Sequence, residues 1–88
     1  MKAMTTETIK RRIENNYQAT VEDIELVGDY VILKCVAHNR SYPFIALNLL
    51  NYFPQLRVVH FTGGWIEGVY TRNTLRYGGY KVKEHKTK

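Results

Sequence analysis

The residues of this chain that are best suited to chemistry are basic and aromatic side chains in its C-terminal half. They are Trp65, Tyr70, Arg72, Arg76, Tyr77, Tyr80, Lys81 and Lys83. Basic side chains neutralise phosphates and exposed aromatic faces stack on unpaired bases, so this stretch predicts a nucleic-acid-binding surface. Tyr, Trp and Arg also anchor protein interfaces, and tyrosine is a favoured strand residue, so a protein-binding surface and plain packing stay open. Whether Tyr77 and Tyr80 face solvent decides among these interpretations.

The charge of the chain is unevenly distributed. The net charge of the 88 residues is +5 at pH 7. Residues 1–30 hold four basic and six acidic residues, a net −2, whereas residues 31–88 hold nine basic and two acidic residues, a net +7. A basic segment of this kind attracts polyanions and also slows self-association. The charge therefore favours a polyanionic partner, with a basic surface that serves solubility alone as the other interpretation.

Side chains that could support catalysis or bind a metal are few and poorly spaced. His38, His60 and His85 share no ligand spacing with Cys35 or with one another. A nucleophile needs a base beside it and a third group that orients the base, and no such set is visible. The flanks of Cys35 are those of a strand, which predicts a small buried hydrophobic residue. We expect neither an enzyme nor a protein that holds a metal or a cofactor.

Length and composition predict one small domain over residues 1–88, with frayed tails over 1–4 and 84–88. Apolar residues make up 44% of the chain and charged residues 24%, which is ordinary usage for a globular protein. A single cysteine excludes an intramolecular disulfide, and the first residues do not resemble a signal peptide. The longest apolar stretch, residues 43–54, is shorter than the ~20 residues that span a bilayer. We therefore expect a reduced, cytoplasmic protein with no membrane partner.

The elements that position these side chains begin with a helix and a hairpin. The helix has Thr5 or Thr6 as its N-cap, an apolar stripe of Ile9, Ile13 and Tyr17, and a stop at Asn15-Asn16. Two alternating segments, Val21–Val27 and Tyr30–Ala37, then flank Gly28-Asp29, which suits a type II′ turn. The hairpin that they form is predicted to pair Leu26 with Val31, Ile24 with Leu33, Val27 with Tyr30, Glu25 with Ile32 and Asp23 with Lys34.

A second helix and a second hairpin complete the predicted fold. The helix begins near Ser41 and Pro43, is apolar around most of its circumference, and ends before Pro54. The strands Leu56–Thr62 and Trp65–Thr71 follow, joined by Gly63-Gly64, with Phe61 opposite Ile66 and Val58 opposite Val69. A turn at Arg72-Asn73 and a last strand over Leu75–Lys83, interrupted at Gly78-Gly79, end the chain. The order αββαββ predicts an α+β fold, an antiparallel sheet of about four to five strands with two helices on one face.

These features predict a small non-enzymatic basic module that binds RNA or single-stranded DNA through the aromatic-basic C-terminal surface. The alternative is a small protein-binding inhibitor or adaptor, of the kind that viruses and mobile elements encode. The apolar helix over Phe44–Phe53 and an unprotected sheet edge further predict a homodimer.

Overall fold

Three helices and one mixed sheet make up the part of the chain that the structure describes. The computed structural model describes residues 3–63, 66–77 and 82–84, with side chains over 3–63 and 67–74. Its elements in chain order are α1 (Thr6–Asn16), β1 (Thr20–Val27), β2 (Tyr30–Val36), α2 (Ser41–Tyr52), β3 (Val58–Phe61), β4 (Ile66–Tyr70), α3 (Arg72–Tyr77) and β5 (Val82–Glu84). The sheet order is β1-β2-β3-β4, with the short β5 added beside β4. The predicted α+β class is confirmed.

Helix α1 begins where a threonine pair caps it. The Thr5 hydroxyl accepts a hydrogen bond from the Thr8 backbone N–H at 3.1 Å, and the Thr8 hydroxyl accepts one from the Thr5 N–H at 2.9 Å. Two otherwise unpaired donors are thereby satisfied. The stripe of Ile9 and Ile13 is buried, and Tyr17 packs against the same core. The predicted N-cap and apolar face are confirmed.

The β1–β2 hairpin has the predicted register in all five pairs, from Asp23 opposite Lys34 to Val27 opposite Tyr30. Gly28 has a φ of 61°, whereas no other residue type has a positive φ in the described part of the chain. A positive φ at the first turn position alone is what a type II′ turn requires. Toward the far end of the hairpin, a bulge interrupts the register between Val21 and Asp23.

Helix α2 connects β2 to β3 and makes these two strands parallel. Tyr30 lies opposite Val58 and Leu33 opposite Phe61 in a parallel register. The helix carries the chain back along the sheet, so that β3 starts at the same end as β2. The prediction of a wholly antiparallel sheet is therefore wrong at this one pair, while the other three pairs are antiparallel.

The second hairpin has a different register from the predicted one. Phe61 lies opposite Gly68 instead of Ile66, and Val69 lies opposite His60 instead of Val58. The shift is two residues, so the same side chains face the core in both registers.

After this hairpin, residues 72–77 form α3, so the predicted turn at Arg72-Asn73 and the strand from Leu75 are wrong. The Thr71 hydroxyl accepts a hydrogen bond from the Thr74 N–H at 3.2 Å, and the Thr74 hydroxyl accepts one from the Thr71 N–H at 2.8 Å. This repeats the arrangement at α1, with threonines again three residues apart. In the described part of this stretch a strand occurs over Val82–Glu84, and residues 78–81 of the predicted strand lie outside the described residues.

One face of the sheet carries the core and the helices. The buried residues come from α1, α2, the segment after α2, and one face of the strands: Ile9, Ile13, Val21, Val31, Leu33, Cys35, Ala37, Tyr42, Ile45, Ala46, Leu49, Leu50, Phe53, Leu56, Val59, Phe61 and Tyr70. Helix α1 packs on β1, and α2 packs on β3 and β4. Met4 also packs against the core, and Glu84 lies opposite Ile66 in the β4–β5 pair. The predicted fraying of the two tails stays a prediction. None of the helices in the described part of the chain is long and apolar enough to cross a membrane.

Candidate functional site

Tyr70, one of the predicted site residues, lies in the core. Its side chain is 1% exposed and its ring meets the Phe61 ring edge-on, with centroids 5.6 Å apart. Phe61 meets Tyr42 in the same way at 5.0 Å. Tyr70 and the buried Gly68 are two residues apart in β4, so both lie on its core face. This position places the Tyr70 ring between the sheet and the helices. Its predicted role in a binding surface is therefore wrong.

The guanidinium of Arg72, another predicted site residue, caps the C-terminal end of α2. It donates hydrogen bonds to the carbonyl oxygens of Leu50, Phe53 and Leu56, the last at 2.6 Å. In a continuing helix the Leu50 carbonyl would accept from residue 54, but Pro54 has no N–H to donate. Arg72 supplies the missing donor, and its positive charge complements the negative end of the helix dipole. These contacts give Arg72 a structural role at the end of α2, and the binding role assigned to it stays a prediction.

The other six predicted residues have no described side chains. Trp65, Tyr80 and Lys81 lie outside the described residues. Arg76 and Tyr77 belong to the backbone of α3, and Lys83 to that of β5. The binding roles assigned to these six residues therefore stay predictions.

The structure brings together a different aromatic-basic group, in a cleft beside α1 and α2. The guanidinium carbon of Arg12 lies 3.7 Å from the centre of the Tyr52 ring, a cation–π stack. Its Nε donates to the Asn48 side-chain oxygen at 3.0 Å, which joins the two helices. Among the described residues, no group accepts a hydrogen bond from the terminal Nη nitrogens of Arg12. Within the described part of the chain, the four terminal N–H groups of this guanidinium therefore point to no acceptor.

The cleft is about 380 Å³ in volume and is lined by Ala3, Thr8, Arg11, Arg12, Asn15, Asn16 and Tyr52. Two of these residues are cationic, two are amides, and the lining contains no carboxylate. Arg11 forms an ion pair with the Glu7 carboxylate at 3.4 Å, and both side chains are mostly exposed. An exposed i,i+4 pair of this kind is worth only a few tenths of a kcal/mol, so it leaves Arg11 available to a stronger anion.

The sequence contains a signal for this cleft that composition alone does not reveal. Lys10-Arg11-Arg12 and Asn15-Asn16 are one helical turn apart, which brings Arg11 and Arg12 onto one side with the asparagines. Their aromatic neighbour Tyr52 comes from another helix, 40 residues further along the chain than Arg12. Only the packing of α1 against α2 brings them together.

Two other groups that could react are the Cys35 thiol and the His60 imidazole, and neither belongs to a site with further reactive groups in the described part of the chain. Burial, reinforced by the carboxylates of Glu14 and Glu22, raises the pKa of Cys35 to about 11. The thiol therefore stays protonated at neutral pH, as the predicted small buried residue would. The His60 Nδ1 lies 3.0 Å from the Tyr30 hydroxyl, in a hydrogen bond on the face of the sheet that carries none of the described helices. No group of three potential metal ligands occurs among the residues that the structure describes.

The edge of the sheet at β1 is protected. The backbone N–H of Val21 donates to the Glu14 carboxylate at 3.0 Å, and that of Ile24 donates to the Asp23 carboxylate at 3.0 Å. Together with the bulge and the negative charges, these contacts discourage pairing with another strand. The expectation of an unprotected edge is therefore wrong at β1.

No protein-family model, curated protein or solved structure matches this chain. Function must therefore be inferred from the side chains themselves. Among the described surfaces, the cleft beside α1 and α2 combines cations, amides and an aromatic ring. These are the groups that bind a phosphate and a base.

Proposed function

We propose that this protein is a small non-enzymatic module that binds nucleic acid, with single-stranded RNA or DNA contacting the cleft beside α1 and α2. The observation that carries this proposal is the Arg12 guanidinium, which stacks on Tyr52, has Arg11 as its neighbour, and finds no acceptor among the described residues for its terminal N–H groups.

Each group in the cleft has a role in such a complex. The terminal N–H groups of Arg12 donate to phosphate oxygens, and the stack on Tyr52 holds the guanidinium in position. Arg11 adds a second positive charge, and the amides of Asn15 and Asn16 offer donors and acceptors. Unpaired bases stack on aromatic and guanidinium planes, which favours a single strand over a duplex.

The C-terminal segment adds to the attraction. Residues 76–88 hold five basic residues and one acidic residue, a net +4 out of the total of +5. In contrast, Lys34 and Arg57 are each within 4 Å of a carboxylate, and Arg72 is engaged at the end of α2. We assign the general attraction for phosphates to the C-terminal segment, including Arg76, Lys81 and Lys83, and the positioned contact to the cleft.

Two further proposals accompany this function. The protein works in the reduced environment of the cytoplasm, with its single thiol buried. It also forms a homodimer through α2, where Phe44 is 62% and Leu47 is 42% exposed on one side of the helix. Sedimentation at tens of micromolar tests the dimer, and a monomeric mass would contradict it.

A titration with a fluorescein-labelled single-stranded oligonucleotide tests the function. At low salt we expect saturable binding that weakens steeply between about 50 and 200 mM salt, because phosphate contacts release counterions. Arg11→Gln should weaken binding about threefold to tenfold and reduce the slope of log K against log salt by about 0.7. Salt-independent binding, or none at low salt, would refute the proposal.

Lys10→Gln provides the matched control. It removes the same charge from the adjacent position, but Lys10 does not line the cleft. We expect less than a twofold change in affinity. Equal losses for Arg11→Gln and Lys10→Gln would show that only net charge matters and that the cleft is not the contact surface.

The alternative function, a protein-binding inhibitor or adaptor, is favoured by one specific observation. The second face of the sheet has no helix on it in the described part of the chain, and Val27 is 56% exposed there. Excess free polyanion separates the two functions, because it displaces a labelled oligonucleotide but leaves a protein partner bound.

A further inference from the structure

Helix α2 carries a row of aromatic, amide and basic side chains that continues away from the cleft. Residues four apart lie one above the other on a helix, and Phe44, Asn48 and Tyr52 have this spacing. Arg40, which precedes the helix with a φ of −73° and a ψ of −13°, extends the series by one more step. The cleft therefore lies at one end of a longer surface, here called the α2 stripe, which consists of Arg40, Phe44, Asn48 and Tyr52.

The contacts between α1 and α2 follow this stripe. Arg12 donates to Asn48 at 3.0 Å, and further along α1 the Tyr17 hydroxyl donates to the Phe44 carbonyl oxygen at 3.1 Å. The two helices therefore lie side by side in opposite directions, and their junction continues from the cleft to Phe44. The eight residues from Phe44 to Tyr52 correspond to about 12 Å of helix. A stacked strand advances about 3.4 Å per nucleotide, so about three to four nucleotides cover this distance.

The ring of Phe44 is exposed in the middle of the stripe. Phe44 is 62% exposed, the highest value among the large apolar side chains that the structure describes. An unpaired base stacks on an aromatic ring of this kind, and such stacking tolerates any of the bases. Phe44 is therefore suited to act as a second stacking platform beside the Arg12–Tyr52 pair.

The chain on both sides of the stripe has no acidic residue. Residues 30–66 contain neither Asp nor Glu. On α1, Glu7 is paired with Arg11, and Glu14 accepts a hydrogen bond from a backbone N–H of β1. The Arg40 side chain is exposed and forms no hydrogen bond or ion pair with the described residues. The stripe therefore attracts phosphates at both of its ends.

We propose that a single strand held in the cleft continues along the α2 stripe, with a base stacked on Phe44 and a phosphate beside Arg40. This inference rests on the proposed function and narrows its ligand to an unpaired strand of about four or more nucleotides. A base inside a duplex is already stacked and paired, so it cannot cover the Phe44 ring. Contacts to phosphates form with either kind of nucleic acid, whereas the contact to Phe44 selects the single strand.

Binding of a labelled 12-nucleotide single strand and of the duplex with the same sequence, both at low salt, tests the inference. Phe44→Leu retains an apolar side chain and removes the aromatic ring, so it should weaken single-strand binding at least fivefold and change duplex binding less than twofold. Phe44→Trp retains a ring and should bind the single strand at least as tightly as the wild type. Thermal melts confirm that each variant is folded.

Leu47→Ala is the matched control on the same helix. Leu47 is 42% exposed but has no aromatic face, so we expect its loss to change single-strand binding less than twofold. Arg40→Gln should weaken binding about threefold, which is more than Lys10→Gln does. An equal loss of single-strand and duplex binding in Phe44→Leu, or the same loss in Leu47→Ala, would overturn the inference.

The outcomes separate this inference from the proposed function. If Arg11→Gln weakens single-strand binding and Phe44→Leu does not, the cleft binds nucleic acid but the strand does not follow α2, and only this inference is overturned. If the wild type binds no oligonucleotide at low salt, both are overturned.

A second copy of the chain is the other possible occupant, because Phe44 also lies on the face assigned to the homodimer. A strand and a second copy compete for this ring, so a saturating single strand should convert a dimer into monomers in sedimentation. A dimer that persists with the strand bound, and that Phe44→Leu dissociates, would show that the second copy covers Phe44 and would overturn the inference.

Discussion

The clearest quantitative prediction concerns Arg72, because sequence and structure assign it different roles. In Arg72→Gln, the Leu50 carbonyl loses its donor, and Pro54 offers no N–H in its place. A hydrogen bond from a charged donor contributes about 1.5–3 kcal/mol, and Arg72 makes several to backbone oxygens while remaining partly in water. We expect a loss of about 2–3 kcal/mol in the free energy of unfolding. For a domain of this size the loss corresponds to a decrease of about 10–20 °C in Tm.

The assay is urea and thermal denaturation followed by circular dichroism at pH 7. Arg72→Lys retains the charge at the helix end but not the forked donors, so it should recover about half of the loss. Arg57→Gln is the control, since the contact of the Arg57 side chain within the described residues is an exposed ion pair with Asp29 at 3.7 Å. We expect a change below about 0.5 kcal/mol. If Arg72→Gln is as stable as the wild type, the helix-end role is refuted. A folded Arg72→Gln that loses oligonucleotide affinity would restore the role predicted from the sequence.

Three further predictions follow from single contacts. The Tyr42 hydroxyl donates to the Cys35 carbonyl at 2.7 Å and accepts from the Ala37 N–H at 3.2 Å, so Tyr42→Phe should cost about 1–3 kcal/mol in urea denaturation. Unchanged stability would mean that water replaces the hydroxyl. Gly28→Ala meets no atom within 4 Å but must adopt a φ near 61°, so it should cost about 1–2 kcal/mol, and a neutral effect would contradict the turn geometry. The Cys35 thiol, whose pKa is raised to about 11 by burial, should resist iodoacetamide at pH 8 until urea unfolds the protein. Rapid labelling of the native protein would contradict the burial of the thiol. Because this pKa exceeds the ordinary value of 9.0, the stability that Cys35 adds relative to Cys35→Ala should be present below pH 9 and lost toward pH 11.

The first hairpin could be predicted because two independent signals agree. Gly28 specifies the turn, and the alternation on both sides allows one register. The second hairpin lacks this agreement. A shift of two residues leaves Phe61 and Tyr70 on the core face, so alternation cannot distinguish Phe61 opposite Ile66 from Phe61 opposite Gly68.

Longer-range features are decided by packing. The parallel pairing of β2 and β3 depends on how α2 docks on the sheet, which no local pattern encodes. Helix α3 did have a local signal, the threonines Thr71 and Thr74, which repeat the spacing of the α1 cap. A strand was predicted there because the following residues have strand propensity, and the capping contacts override that propensity.

The candidate site illustrates what composition cannot tell. Composition is the same whether a basic or aromatic residue faces solvent, packs in the core or bonds to the backbone. Tyr70 is buried in the core, and Arg72 is exposed but donates to the carbonyl oxygens at the end of α2. The cleft depends on Arg12 meeting Tyr52, residues on two different helices. A sequence scan for basic and aromatic residues close together in the chain does not find such a pair.

The most direct test of the proposed function is a ¹⁵N–¹H chemical-shift titration of the full chain with a single-stranded oligonucleotide at low salt. Binding in the cleft predicts that the largest shifts occur at Thr8, Arg12, Asn16 and Tyr52, with small shifts at Ile32 and Val69, which lie on the face of the sheet opposite the core. Shifts confined to Ile32, Val69 and their neighbours on that face, or the absence of shifts at low salt, would contradict the proposal that the cleft binds nucleic acid.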